Sequence, residues 1–176
     1  MKKEVKGNEL FFAKVKENAV TPTKNTEDMG YDIYVCFDEE YIVINPQETK
    51  MIPTGIASAC SEDYGIILKE RGSTGSKGIA QRCGVIDSGY RSEWFVPLTN
   101  TTTHFIIISK LSEEETLKKV FGKYAPTGAV IYPYTKAIAQ AIILPVPKMK
   151  VQEISYDDLK SIPSKRGVGC LGSSGK

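Results

Sequence analysis

Short apolar stretches separated by turn residues dominate the chain. In Tyr31-Asp-Ile-Tyr-Val-Cys36, Ile33 and Val35 fall on one face, at the period of two that a half-buried strand requires. Tyr41-Ile-Val-Ile44 is a β-branched run closed by Asn45-Pro46. Residues 65–69, 93–98, 104–108 and 137–144 read the same way, with clusters of Gly, Pro, Asn and Asp between them. Many short strands at fairly even spacing predict an all-β barrel or sandwich. Ser112–Phe121 breaks the pattern and predicts a helix. Ser112 and Glu115 fit a capping box, acids fill the first turn, Lys118 and Lys119 lie toward the end, and Gly122 is a stop. Leu117, Val120 and Phe121 give that helix a narrow apolar stripe.

The length of 176 residues suits one domain and is short for two. A core of that size needs no disulfide or metal staple. The net charge of +2 argues against a field for nucleic acid or membrane surfaces. Apolar runs stay far below the roughly 20 residues of a membrane span. Met1-Lys2-Lys3-Glu4 does not lead into a signal-like apolar stretch. One histidine, His104, makes a His-rich zinc site a poor expectation. The four cysteines, Cys36, Cys60, Cys83 and Cys170, form no CxxC pair, so reduced thiols in a cytoplasm are expected.

Three segments combine small polar residues with arginine. Arg71-Gly-Ser-Thr-Gly-Ser-Lys-Gly78 offers backbone N–H groups, hydroxyls and a forked cation to an anion, without the Gly-Lys-Ser/Thr order of a Walker loop. A Gly/Ser turn between strands accounts for the same residues. Gly84-Val-Ile-Asp-Ser-Gly-Tyr-Arg-Ser-Glu93 runs two apolar residues into a hairpin tip carrying Asp87, which could orient a water or simply favour the turn. Arg166–Lys176 is rich in glycine and free of acid: either a loose terminus or a flexible phosphate-binding flap.

Taken together and in order, these segments resemble the trimeric dUTPases, the dUTP diphosphatases. Gly30-Tyr31-Asp32 resembles the first of that family's five motifs, and Arg71-Gly72-Ser73 the second. Gly84-Val85-Ile86-Asp87-Ser88-Gly89-Tyr90-Arg91 is similar to the third and is the most specific match. Ile138-Ala139-Gln140 matches the end of the fourth, and Arg166-Gly167-Val168-Gly169 with Gly172-Ser173-Ser174-Gly175 the fifth. The resemblance implies a β-barrel or jelly-roll-like subunit over residues 1–165. It carries a helical insertion at about 110–128 and a flexible Gly-rich flap at 166–176. It implies a homotrimer with sites shared between chains, and hydrolysis of dUTP to dUMP and pyrophosphate with Mg²⁺ on the triphosphate.

By that resemblance Asp87 aligns the water that attacks the α-phosphorus. Tyr90 lies under the deoxyribose and leaves no room for a 2′-hydroxyl. The backbone around Gly84 and Ile86 reads the uracil edge, with Gln81 near the base. Gln140 steadies the water or the α-phosphate. Asp32 acts through the water shell of the magnesium or holds the site's arginine, and the metal touches phosphate oxygens and water rather than side chains. Arg71, with Ser73 or Gly72, meets phosphate, while Arg166, Ser173 and Ser174 clamp the γ-phosphate, with Gly172 among the substrate-binding residues and Leu171 over the base.

Three departures stand out. The second motif has its serine one place late, so either Ser73 or the Gly72 N–H takes the phosphate. The fourth motif has Thr135-Lys136-Ala137 in place of glycine-aspartate-arginine. The fifth has Leu171 where an aromatic normally covers uracil, and Cys170 where glycine is usual. Two other readings compete. One is a dCTP deaminase of the same fold, for which Glu93 would be the proton shuttle. The other is a regulatory binding protein that docks a protein partner through the 112–121 helix.

Overall fold

The computed structural model describes residues 4–169. In chain order its strands are β1 (Leu10–Lys14), β2 (Tyr31–Ile33), β3 (Tyr41–Ile44), β4 (Thr49–Pro53), β5 (Ile56–Cys60) and β6 (Tyr64–Lys69). The short helix α1 (Gly72–Gly75) follows, then β7 (Ile79–Gln81), β8 (Val85–Ile86), β9 (Phe95–Asn100) and β10 (Ile106–Ser109). Helix α2 (Glu113–Phe121), β11 (Val130–Pro133), β12 (Ala139–Pro145) and helix α3 (Tyr156–Ser161) complete the order.

The strands pair as four small sheets: β1–β5, β11–β10–β3, β2–β12–β6–β8 and β4–β9–β7. The all-β expectation holds, but the sheets do not close into a barrel. Strands of two to seven residues are hydrogen-bonded in four separate sets, and each set keeps open edges. All pairings are antiparallel except β10 with β11, where Ile106 faces Val130. The core between the sheets is rich in β-branched residues, and Ile33, Ile44, Ile52, Ile66, Ile106 and Trp94 are wholly buried. The rings of Phe12 and Trp94 meet edge to face with centroids 5.7 Å apart.

A parallel pair needs a crossover, and α2 lies in the one joining β10 to β11. Its capping box is formed: Ser112 Oγ accepts from the Glu115 N–H at 3.3 Å and Glu115 Oε2 accepts from the Ser112 N–H at 3.1 Å. Gly122 ends it at φ 63°. Leu117, Val120 and Phe121 are half-buried, and the Phe121 ring sits 5.1 Å from Phe105. The wholly buried residue of the helix is Thr116, whose hydroxyl meets Ser109 Oγ at 2.7 Å.

Two further helices stand where a single one was expected. Helix α1 closes through reciprocal contacts: the Arg71 N–H donates to Thr74 Oγ1 at 3.1 Å and Thr74 Oγ1 donates back to the Arg71 carbonyl at 3.0 Å. Helix α3 begins at Ser155, whose hydroxyl accepts from the Asp158 N–H at 3.0 Å. The chain divides into two compact units at Val146–Pro147. The first holds all the strands, α1 and α2, and the second holds α3 and the residues after it. Among the described residues no helix is long and apolar enough to cross a membrane.

Candidate active site

Two strands meet at the first half of the site. In the β2–β12 ladder Asp32 faces Gln140, and in the β12–β6 ladder Gln140 faces Lys69. Asp32 Oδ1 lies 3.0 Å from Arg71 Nε, with both side chains about one-third exposed. Asp32 and Arg71 thus form an ion pair. Gln140 Nε2 donates to the Glu70 carbonyl at 2.9 Å, which fixes the direction of its amide. Gly30 leaves the space this amide occupies.

Immediately after Arg71 the chain turns into α1. The first turn of a helix leaves its N–H groups without an intrahelical acceptor, so those of Gly72 and Ser73 remain available to a ligand. Ser73 Oγ lies 3.4 Å from the Tyr132 hydroxyl, which itself donates to the Ala137 carbonyl at 2.7 Å. Arg71, Gly72, Ser73, Gln140 and Lys136 line one open cleft of about 500 Å³. Two cations, a hydroxyl and free N–H groups around an open hollow suit an anion.

The second half of the site is the segment after β8. Gly84 fits where no other residue would, since a Cβ there would lie 2.4 Å from the Leu68 carbonyl oxygen. That closeness lets the Leu68 N–H donate to the Gly84 carbonyl at 2.7 Å, and Ile86 pairs with Ile66 one step on. The expected hairpin is instead a strand followed by a turn. Strand β8 pairs with β6, whereas β9 pairs with β4 and β7, so the chain changes sheets between them. The Tyr90 N–H donates to the Asp87 carbonyl at 3.0 Å, and Arg91 Nη1 donates to the Ser88 carbonyl at 2.5 Å. The far end is pinned by the Gly55 N–H on Glu93 Oε1 at 2.8 Å and the Trp94 N–H on the Ile56 carbonyl at 2.8 Å.

Asp87 is exposed on this frame, and its backbone carbonyl rather than its carboxylate closes the turn. Tyr90 donates its hydroxyl to the Glu93 carbonyl at 3.0 Å, which orients the ring. Asp87, Tyr90, Ile86, Met51 and Phe95 line a hollow of about 230 Å³ that shares no residue with the Arg71 cleft. Glu93, the residue a deaminase would need as its shuttle, is occupied in holding Gly55.

Gln81 sits between the two halves. Its Nε2 lies 3.3 Å from the Arg82 carbonyl and 3.4 Å from that of Cys83, folded back on its own loop. Arg166 lies in the second unit, where its Nε donates to the Gly169 carbonyl at 3.2 Å. Leu171, Gly172, Ser173 and Ser174, with Cys170, lie outside the described residues.

Sequence reasoning missed two residues. Glu70 accepts Gln140 Nε2 at its carbonyl and the Gln81 N–H at its carboxylate, the latter at 3.3 Å, so it ties β12 to β7. Nothing in its sequence context distinguishes it. Lys136 lines the cleft, and its signal was visible as a departure in the fourth motif. Among the described residues no three His, Cys, Asp or Glu side chains cluster to hold a metal.

Comparison with known proteins bears on this geometry. The dUTPase family model matches residues 16–112. The chain is similar to a deoxyuridine 5'-triphosphate nucleotidohydrolase of Neisseria meningitidis serogroup A, with 30% identity over 83% of this chain and 81% of that one. A protein of the same name from Nautilia profundicola is 29% identical over 95% of this chain and 99% of its own. Among solved structures, the dUTPase of Staphylococcus bacteriophage 80alpha with dUPNHPP superposes with a TM-score of 0.73. It shares 26% identity over 97% of this chain and 100% of that one.

Proposed function

The chain belongs to the dUTPase family and hydrolyses dUTP, and from that premise we propose how its residues divide the work. Asp87 takes a proton from a water as the water oxygen bonds to the α-phosphorus. The bond from that phosphorus to the bridging oxygen breaks, giving dUMP and pyrophosphate. A carboxylate serves as such a base only on a rigid frame, and the β6–β8 ladder on one side with the Glu93 and Trp94 contacts on the other supports that role. Tyr90 packs under the deoxyribose. The backbone around Gly84 and Ile86 reads the uracil edge, with Gln81 beside it.

Arg71, held by Asp32, meets the phosphates together with either Ser73 or the Gly72 N–H, while Gln140 steadies the attacked group. A bound Mg²⁺ would supply charge neutralisation on the triphosphate, and Asp32, whose Oδ1 is engaged by Arg71, would act through that ion's water shell. Arg166 and the residues after it form the clamp on the γ-phosphate, with Leu171 over the base. The protein works in the cytoplasm, where the free thiols of Cys36, Cys60 and Cys83 stay reduced.

The working form in this reading is a homotrimer. The observation that carries it is that Arg71, Ser73 and Gln140 line one cavity while Asp87 and Tyr90 line another. A neighbouring copy can bring the second half to the first. Co-expressing Asp87→Asn with Gln140→Ala tests this. Each variant alone is expected to be nearly inactive, and hybrids regain activity if a site draws its two halves from different chains. Inactive hybrids would mean that each chain builds its own site.

A further inference from the structure

The turn between β11 and β12 places a lysine in the anion cleft, in a position that the backbone fixes. The Lys136 N–H donates to the Pro133 carbonyl at 3.0 Å and closes the turn. On one side of it the Tyr134 N–H donates to the Ser109 carbonyl at 2.7 Å, and on the other the Ile138 N–H donates to the Ile33 carbonyl at 2.8 Å. Ala137 and Ile138 are buried, and the Ala137 carbonyl accepts the Tyr132 hydroxyl. The lysine's backbone is therefore held while its side chain is exposed at the cleft with Arg71, Ser73 and Gln140.

The charges in the cleft are unequal. Arg71 is already paired with Asp32 at 3.0 Å, so much of its positive charge is compensated before substrate arrives. Ser73 is neutral, and Gln140 directs an N–H at the Glu70 carbonyl. Among the described residues Lys136 has no carboxylate within ion-pair distance. It stands where the fourth motif of the family has its acid, so the local charge is reversed. The cation expected one place later is missing, because that place is the buried Ala137.

We propose that Lys136 binds the triphosphate tail of the nucleotide and supplies the uncompensated positive charge of this cleft. The proposal rests on the reading of the chain as a dUTP hydrolase. An ammonium on a flexible stem has three rotatable donors and acts as a point charge. It can follow phosphate oxygens as a triphosphate becomes pyrophosphate, while the paired Arg71 stays in place.

The test compares Lys136→Gln and Lys136→Arg with the wild type. In Lys136→Gln the KM for dUTP is expected to rise about tenfold, with the greater part of the kcat/KM loss in KM, and Lys136→Arg restores most of it. The rise in KM between low and high salt should be smaller in Lys136→Gln than in the wild type, because a screened charge has been removed. A wild-type KM in a folded Lys136→Gln overturns the proposal. Calorimetric binding of inorganic tripolyphosphate separates this from a failure of the dUTP reading. Weaker tripolyphosphate binding in Lys136→Gln supports the cation site even if dUTP is not turned over, and unchanged binding overturns it.

Discussion

Gly30 and Gln140 are so close that a Cβ on the glycine would lie 2.9 Å from Gln140 Oε1 and 3.0 Å from its Cβ. The first and fourth motifs therefore meet as one packed contact. The amide can reach the Glu70 carbonyl at 2.9 Å because nothing projects from position 30. Gly30→Ala is expected to push Gln140 out of this arrangement. It should lower kcat/KM at least about tenfold through misplacement and cost about 1–3 kcal/mol of stability through overpacking. Steady-state kinetics and denaturant melts on the same preparation check both effects.

Asp87→Asn should remove turnover and leave binding nearly intact. The turn is closed by the Asp87 carbonyl, so the amide can replace the carboxylate without unfolding it. We expect kcat to fall by at least ~10², with binding of a non-hydrolysable dUTP analogue within about threefold of wild type. Stopped-flow turnover beside calorimetric binding reads the two separately.

Much of this frame was legible from residues alone, and the reason differs by element. Ser112 and Glu115 predict the start of α2 because both halves of a capping box lie within one turn of sequence. Tyr41–Ile44 predicts β3 through its β-branched run. Strand β5, Ile56-Ala-Ser-Ala-Cys60, has small residues with little strand preference; it forms because β1, far away in sequence, pairs with it from Leu10↔Cys60 to Lys14↔Ile56. Helix α1 contains two glycines and is a poor helix by propensity; the Arg71–Thr74 contacts close it. At the site, Asp87 and Gln140 belong to recognisable motifs. Glu70 does not, because its role comes from a carbonyl and a carboxylate that only the folded chain brings to Gln140 and Gln81.

Tyr90 separates a ring effect from a hydrogen-bond effect. Under the role proposed for Tyr90, Tyr90→Ala should narrow the preference for dUTP over UTP in kcat/KM by about tenfold or more. Tyr90→Phe loses only the bond to the Glu93 carbonyl and should keep most of that preference. Parallel assays with the two nucleotides check the pair; equal ratios in wild type and Tyr90→Ala would place sugar recognition elsewhere.

Glu70 makes the link between Gln140 and Gln81 sensitive to acid. Its carboxyl is held below the ordinary glutamate range, first by its own backbone N–H, with further help from the Gln81 N–H and Lys69, while burial pushes the other way. The native state therefore favours the charged form. The stability this supplies is complete above the ordinary value of about 4.3 and is lost as pH falls through the lower native one. The difference in Tm between wild type and Glu70→Gln should be constant near neutral pH and shrink below about pH 4. Thermal melts across that range decide it, and a difference that persists in acid would contradict the assignment.

The most direct measurement of the central claim is turnover of dUTP in ¹⁸O-labelled water, followed by mass spectrometry of both products. Attack of a water held by Asp87 on the α-phosphorus predicts one labelled oxygen in dUMP and none in pyrophosphate, with no ammonia released from dCTP in a parallel reaction. Label in pyrophosphate, or ammonia from dCTP, would contradict the account.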